Sequence, residues 1–233
     1  MWLEAPLQSW GCDSKFGRRE TLNFPTKSGV MGLLLCAMGK GGAQRELLKR
    51  LCRLPLSVAA FPRKTAGGKA EELTPLCDFH MVGSGYDEQD PWQNLMIPKK
   101  SDGSKPVGGG TKLTYRYYLQ DMAFAVVLEL PEDPELSSEL ENSLQTPVWA
   151  LCLGRKNCIP TERIYQGTYD TREQAFKRAG EMAEQKNRIC SFSVEDGFRD
   201  DCDDAMILND VPVQFGTVKE YTDRQISIYY KGV

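Results

Sequence analysis

The sequence predicts an α+β fold of the ferredoxin-like, RNA-recognition type, with an inserted β-hairpin and a small β-rich C-terminal extension. In residues 1–154, apolar runs and turn residues follow the order strand, helices, strands, helix, strand, which is typical of such a fold. Residues 84–112 interrupt this order with a composition rich in Gly, Pro, Ser, Lys and Asp. Residues 155–233 add an amphipathic helix and several strands. We therefore expect a core built from residues 1–83 and 113–154.

The elements of the first half follow from turn residues and from the spacing of apolar residues. Pro25 cannot continue the segment before it, and Thr26 or Ser28 can cap the apolar run that follows, so a helix should begin there. A second helix is amphipathic, because its leucines form one stripe. The predicted strands cover residues 2–5, 56–61 and 76–82, and the predicted helices cover residues 28–38 and 43–52.

The second half contains a nearly continuous apolar run. Residues 123–130 carry one charged side chain among apolar ones, which is typical of a strand covered on both faces. Further strands are predicted at residues 114–119, 151–153 and 225–230, and helices at residues 134–144 and from about Thr171 onward. The strand at 151–153 would complete the core sheet.

Composition excludes several classes of protein. The chain has 233 residues, 41% of them hydrophobic, which suffices for a large core. Its longest apolar run outside the strands, residues 33–38, is far too short to cross a membrane, so we expect a cytoplasmic protein without membrane contact. Eight scattered cysteines and a single histidine do not form zinc-binding pairs. We therefore expect no metal and no cofactor.

Charge is distributed unevenly along the chain. Residues 1–119 hold 17 Lys and Arg against 11 Asp and Glu, a net of +6, whereas residues 120–233 hold 12 against 21, a net of −9. A basic half is where phosphates would bind. The alternative is a chance segregation of solvated charges.

The predicted start of the first helix has the composition of an anion site. The free amides of a helix N-terminus, the hydroxyls of Thr26 and Ser28 and the ammonium of Lys27 suit a phosphate oxygen, with the Gly29 amide close by. The alternative is an ordinary capped core helix.

Four motifs together resemble the fifth CRISPR-associated protein family of the RAMP superfamily, and most closely its type I-E branch. They are LEAPLQSWG at 3–11, FPTKSGVMGLL at 24–34, DFH at 78–80 and LGRKNCIP at 153–160. The resemblance covers nearly the whole chain. Family members usually carry several more strand residues before the position of Leu3, so either the first strand is short or the true start lies upstream.

The resemblance implies a non-catalytic subunit of a Cascade surveillance complex in antiviral defence. Such a subunit holds the 5′ handle of CRISPR RNA, contacts the backbone subunits and the large subunit, and meets target DNA only through the complex. The core corresponds to a palm, and residues 84–112 correspond to a hairpin thumb that reaches across the guide RNA. Lysines of the thumb would face phosphates.

Two further segments predict RNA contacts. YRYY at 115–118 interleaves aromatic rings with a cation, a combination that stacks bases and neutralises their backbone. Arg155 and Lys156 form a basic pair that could clamp a phosphate, or a solvated turn. The predicted RNA-binding residues are Trp10, Arg18, Arg19, Lys27, Ser28, Gly29, Lys99, Lys100, Lys105, Lys112, Tyr115, Arg116, Arg155 and Lys156.

Two other functions remain open. His80 beside tyrosines and a lysine could support metal-independent cleavage of precursor CRISPR RNA, as in type I-C relatives, since cleavage needs a base and an acid. However, Asp78 and His80 share a strand face, where a structural hydrogen bond is commoner. The chain could instead only bridge subunits.

Overall fold

The computed structural model describes residues 1–11, 17–72, 74–82, 89–96, 100–104 and 112–231. Its first elements are β1 (Trp2–Gln8), β2 (Arg18–Arg19), α1 (Lys27–Ala37), α2 (Arg45–Leu51), β3 (Leu56–Phe61), β4 (Leu76–Val82) and α3 (Pro91–Met96). They are followed by β5 (Lys112–Leu128), α4 (Pro134–Gln145), α5 (Arg172–Gln185), β6 (Phe192–Asp196), β7 (Asp204–Gln214) and β8 (Glu220–Tyr230).

One antiparallel sheet, in the order β1-β5-β3-β6-β8-β7, forms the body of the protein. Successive strand residues point to opposite faces, so Leu3 joins the core cluster that contains α1, α2 and α4, whereas Trp2 packs with α5 through Ala179 and Ala183. Both faces of β5 are therefore covered, which confirms the interpretation of its apolar run.

β5 is long enough to belong to two sheets. Its first residues leave the body and pair with β4 in antiparallel and with β2 in parallel orientation. We call β2, β4 and residues 112–118 the arm sheet. The sequence predicts two strands, at residues 114–119 and 123–130, but the structure has the single strand β5. Asp121, which lies between the two predicted strands, has a φ of 44°.

Arg188 holds β5 at Asp121 from within the protein. Its side chain is fully buried and donates to the carbonyl oxygens of Phe61 and Asp121 at 3.1 and 2.8 Å. It also forms ion pairs with Glu4 at 3.0 Å and Asp121 at 2.7 Å. Buried, charged hydrogen bonds thus hold β5 at Asp121, within the part of the strand that pairs with β1.

The prediction of a strand at residues 151–153 is wrong. This segment makes only an isolated bond to the region after β1, from the Ser9 amide to the Leu153 carbonyl at 3.2 Å. The outer edge of β1 is contacted instead by Thr161 and Ile164, through bonds of 2.9 and 2.8 Å. The structure therefore establishes a mixed α/β protein around an antiparallel sheet, and the ferredoxin-like arrangement stays a prediction.

The insertion at residues 84–112 is described only in part, and its assignment as a hairpin thumb stays a prediction. β4 and the start of β5 pair with each other on either side of residues 83–111. The described part of the insertion contains the short helix α3. Among the helices of the described ranges, none combines the length and apolar character that crossing a lipid bilayer requires.

Candidate nucleic-acid interface

The arm sheet exposes an aromatic face. Cross-strand partners share a face, so the pairs Cys77–Tyr117, Phe79–Tyr115 and Met81–Leu113 place six side chains together; we call these six residues the aromatic face. Phe79 is 52% and Tyr115 is 40% exposed, and their ring centroids lie 5.2 Å apart. Such an exposed apolar patch is typical of a binding surface.

Arg18 of β2 adds a cation to the same face. Its guanidinium carbon lies 5.1 Å from the centroid of the Tyr117 ring, and Nη2 donates to the Tyr117 hydroxyl at 2.9 Å. Glu20 accepts from its Nε. An exposed guanidinium on a tyrosine face is held in place while it stays open to solvent and to ligands.

The opposite face of the arm sheet is polar. Asp78 is paired in register with Arg116, and the parallel pairing of β2 places Arg19 beside Arg116. His80 Nε2 lies 2.8 Å from Asp78 Oδ1, which confirms the predicted hydrogen bond between these side chains. This face therefore offers two arginines and a histidine that is held by a carboxylate.

The predicted phosphate site at the start of α1 is filled by the protein itself. The Lys27 side chain is 5% exposed, and its ammonium contacts Asp196 at 2.7 Å and the Leu54 carbonyl at 3.0 Å. The Lys27 amide donates to Asp210 at 2.7 Å, and the Gly29 amide donates to the Thr26 hydroxyl at 3.1 Å. Lys27 and Gly29 are thus held by contacts within the protein, where an aspartate already satisfies this helix N-terminus, and their predicted contact with a phosphate stays a prediction.

These contacts belong to a buried set of four charges, which we call the charge quartet. Arg224 bridges the two carboxylates, with bonds of 2.7 and 2.8 Å to Asp210 and a further contact to Asp196. Lys27 supplies the second positive charge. The set is neutral overall, as buried ionic groups require. It is structural, and the cap by Thr26 is confirmed.

Trp10 is also part of the core rather than of the surface. It is 1% exposed, and its Nε1 donates to Gln8 Oε1 at 3.2 Å. A Cβ at Gly29 would come within 2.7 Å of the Trp10 ring. The motifs at residues 3–11 and 24–34 therefore pack against each other. The structure therefore places Trp10 in the core, and its predicted contact with RNA stays a prediction. The Ser28 hydroxyl lies 3.3 Å from Thr26 Oγ1, and its predicted contact with RNA is untested.

Arg155 does not form a free clamp. Nη1 donates to the Tyr117 carbonyl at 3.0 Å and Nη2 donates to the Arg19 carbonyl at 2.9 Å. Its guanidinium carbon lies 4.5 Å from the centroid of the Tyr118 ring, which is buried. Lys156 is exposed beside it.

The remaining predicted residues have different outcomes. Tyr115, Arg116, Arg18 and Arg19 come together on the arm sheet, and Lys100 is exposed in the insertion. Lys99 and Lys105 lie outside the described residues, and only the backbone of Lys112 is described. The sequence prediction did not include the other members of the aromatic face, which are Cys77, Phe79, Met81, Leu113 and Tyr117. The alternation of side chains between the two faces of β4 and β5 is the signal that could have identified them.

Comparison with known proteins gives the family. The model of a family described as CRISPR-associated protein (Cas_Cas5) matches residues 1–226. The CRISPR system Cascade subunit CasD of Escherichia coli (strain K12) is 31% identical over 170 residues, which are 71% of this chain and 68% of that protein.

Two solved structures share the fold. One, described as a CRISPR RNA-guided surveillance complex, superposes with a TM-score of 0.67 at 22% identity and covers 99% of this chain and 88% of that chain. Another, described as a Cas protein, gives a TM-score of 0.61 at 24% identity over 98% and 92% of the two chains. With the family match spanning almost every residue, the chain belongs to the CRISPR-associated protein family Cas_Cas5.

Proposed function

We propose that this chain is a non-catalytic CRISPR RNA-binding subunit of a cytoplasmic Cascade complex, in which it holds the 5′ handle of the guide RNA. The similarity to a Cascade subunit of Escherichia coli supports this role. The single observation that carries it is the exposed aromatic face beside Arg18. Unpaired RNA is recognised by stacking its bases on aromatic side chains while cations neutralise the backbone.

The arm sheet divides these two tasks between its faces. Tyr115 and Phe79 offer ring surface to bases on the aromatic face. Arg19 and Arg116 lie on the polar face, and Lys156 is exposed on the turn that contacts it. A strand of RNA that wraps the arm sheet would therefore meet rings on one side and positive charges on the other.

The proposal also assigns a part to each segment. Residues 1–83 and 113–154 form the ferredoxin-like palm, residues 84–112 the thumb, and residues 155–233 an extension packed on the palm. On α3, Trp92 is 75% and Leu95 is 74% exposed. Side chains of this kind favour a protein neighbour, in line with contacts of the thumb to the Cascade backbone and large subunits. Target DNA would be met only through the assembled complex.

Binding of RNA to the purified chain tests this proposal. We expect labelled RNA of the CRISPR repeat that accompanies the gene to bind, and the double variant Phe79→Ala with Tyr115→Ala to weaken binding by about 100-fold, because stacking contributes about 1–3 kcal/mol per base. Tyr230→Ala is the matched control, since Tyr230 is 49% exposed on β8 of the body. Equal loss in the control, or no loss in the double variant, would contradict the proposed interface.

One observation favours a second candidate function, a metal-independent endoribonuclease. His80 is 44% exposed and contacts Asp78, an arrangement that can orient a catalytic base. Incubation of repeat RNA with the protein, with and without divalent ions, separates the two functions. Under the proposal the RNA stays intact; cleavage that His80→Ala abolishes would establish the enzyme instead.

A further inference from the structure

The turn formed by residues 153–158 is part of the rigid body of the protein. Leu153 and Cys158 are fully buried and bond to each other through the Leu153 amide and the Cys158 carbonyl at 2.8 Å. Gly154 has a φ of 94°, and a side chain there would collide with the carbonyl oxygen of Ser9. The turn therefore lies directly against the backbone of Ser9, the residue that follows β1.

From this turn, Arg155 reaches two strands of the arm sheet at once. It donates to the Arg19 carbonyl on β2 and to the Tyr117 carbonyl on β5, at 2.9 and 3.0 Å. Its guanidinium stacks on Tyr118, whose hydroxyl accepts from Asn157 at 3.2 Å. The planar fork of arginine suits this combination of two acceptors and one ring, and an ammonium group does not reproduce it.

β2 is the shortest strand of the described chain. It consists of two residues, paired with Tyr115 and Arg116, and the adjoining backbone bond runs from the Tyr115 amide to the Gly17 carbonyl at 2.8 Å. Arg18, which stacks on the aromatic face, lies on this short edge strand. A two-residue strand is too short to be stable without further contacts.

We infer that Arg155 is a positioning residue for RNA binding: it fastens β2 to β5 so that Arg18 and Arg19 flank the RNA, and it does not itself neutralise a phosphate. This inference rests on the proposed function. It also reassigns the LGRKNCIP motif from a phosphate clamp to a brace beneath the interface.

A substitution that keeps the charge of Arg155, read together with the salt dependence of binding, distinguishes a brace from a clamp. Each phosphate-binding cation that a substitution removes lowers the slope of log affinity against log salt concentration by about 0.7 for single strands. We expect K156A to lower the slope by this amount. R155K and R155A should both weaken binding of the repeat RNA by about tenfold, the effect of removing one or two hydrogen bonds from a charged donor, even though R155K keeps the positive charge.

The lysine variant is the decisive one, because it keeps the charge and removes the fork. Binding by R155K that matches the parent, together with a lower slope in R155A, would show that Arg155 contacts phosphate and would overturn the inference. Parent affinity in both variants would also overturn it. If the parent itself does not bind the RNA, the proposed function fails first.

Hydrogen exchange gives a second measurement that does not depend on RNA. In R155K, the amides of residues 17–20 and 114–118 should exchange faster than in the parent, while those of β3 and β6 keep their rates. Unchanged exchange at residues 17–20 would contradict the brace even if R155A failed to fold.

Discussion

Asp210 anchors the start of α1 at the scale of a single residue. It is 3% exposed, accepts from the Lys27 amide at 2.7 Å and pairs with Arg224. Asp210→Ala leaves one carboxylate facing two buried cations, so the free energy of unfolding should fall by about 3–5 kcal/mol. Urea denaturation measures this change.

The control for Asp210 is Asp223→Ala, at an exposed position of β8. We expect this substitution to change stability by less than about 0.5 kcal/mol. A D210A protein that unfolds at the same urea concentration as D223A would show that the charge quartet does not support the fold.

Two carboxylates beside Arg188 make stability depend on pH. Burial opposes ionisation of Glu4, but hydrogen bonds from Trp2 and Lys186 and the charge of Arg188 outweigh it and hold the pKa of Glu4 below its ordinary value. Asp121 is also partly buried, yet Arg63 and Arg188 lower its pKa in the same way. Both groups thus release their protons more readily in the folded state.

The sign of the pH effect follows from these shifts. The stabilisation by the ionised carboxylates of Glu4 and Asp121 is complete above the pKa values of the unfolded state, about 3.9 for Asp and 4.3 for Glu. It is lost as the pH falls through the lower pKa values of the folded state. Glu4→Gln should therefore lose less stability than the parent between pH 5 and pH 2, as measured by urea denaturation at each pH. Identical curves for E4Q and the parent would contradict the role of Glu4.

At the scale of elements, the turn at residues 153–158 and its glycine can be tested with a matched pair. Gly154 and Gly42 have φ values of 94° and 84°, but only Gly154 faces a backbone atom that a Cβ would strike. Gly42→Ala adds backbone strain alone, about 1 kcal/mol. Gly154→Ala adds the collision with Ser9 and should lower the thermal midpoint much further. Equal thermal midpoints for the two variants would show that the turn can shift to accommodate the added methyl group.

The sequence predicts well those helices and strands whose boundaries are set by residues close to them in the chain. β3 and β4 have the predicted bounds, and α1 and α5 begin after the capping residues Thr26 and Thr171. Capping, amphipathic spacing and strand alternation act within a few residues, so they are visible in a single sequence.

Contacts between distant residues account for what the sequence does not predict. Lys27 has the pattern of a phosphate ligand, but its partner Asp196 lies 169 positions away along the chain. Trp10 is buried against Gly29, and Arg155 finds its acceptors on strands 38 and 136 positions away. Local patterns cannot distinguish a cation that faces solvent from one that a distant carboxylate neutralises.

At the scale of the whole molecule, the body and the insertion have different sources of stability. In the body sheet, β1, β3 and β5 bury residues on both faces, one in the core with α1, α2 and α4 and the other against α5. The arm sheet has exposed apolar side chains on β4 and β5, and the described part of the insertion exposes Trp92, Leu95 and Lys100. Such a segment adds little to a core and gains its contacts from partners.

Shortening the insertion should therefore separate folding from assembly. Replacing residues 88–108 with a short Gly-Ser turn keeps β4, β5 and their register, so the thermal midpoint should stay close to that of the parent. Co-expression with guide RNA and the neighbouring subunits should nevertheless yield a complex that lacks this chain, because the shortened chain has no thumb with which to contact them. Size-exclusion chromatography with analysis of the bound RNA measures the outcome. A shortened protein that unfolds would place the segment in the core, and one that assembles normally would show that the thumb does not hold the RNA.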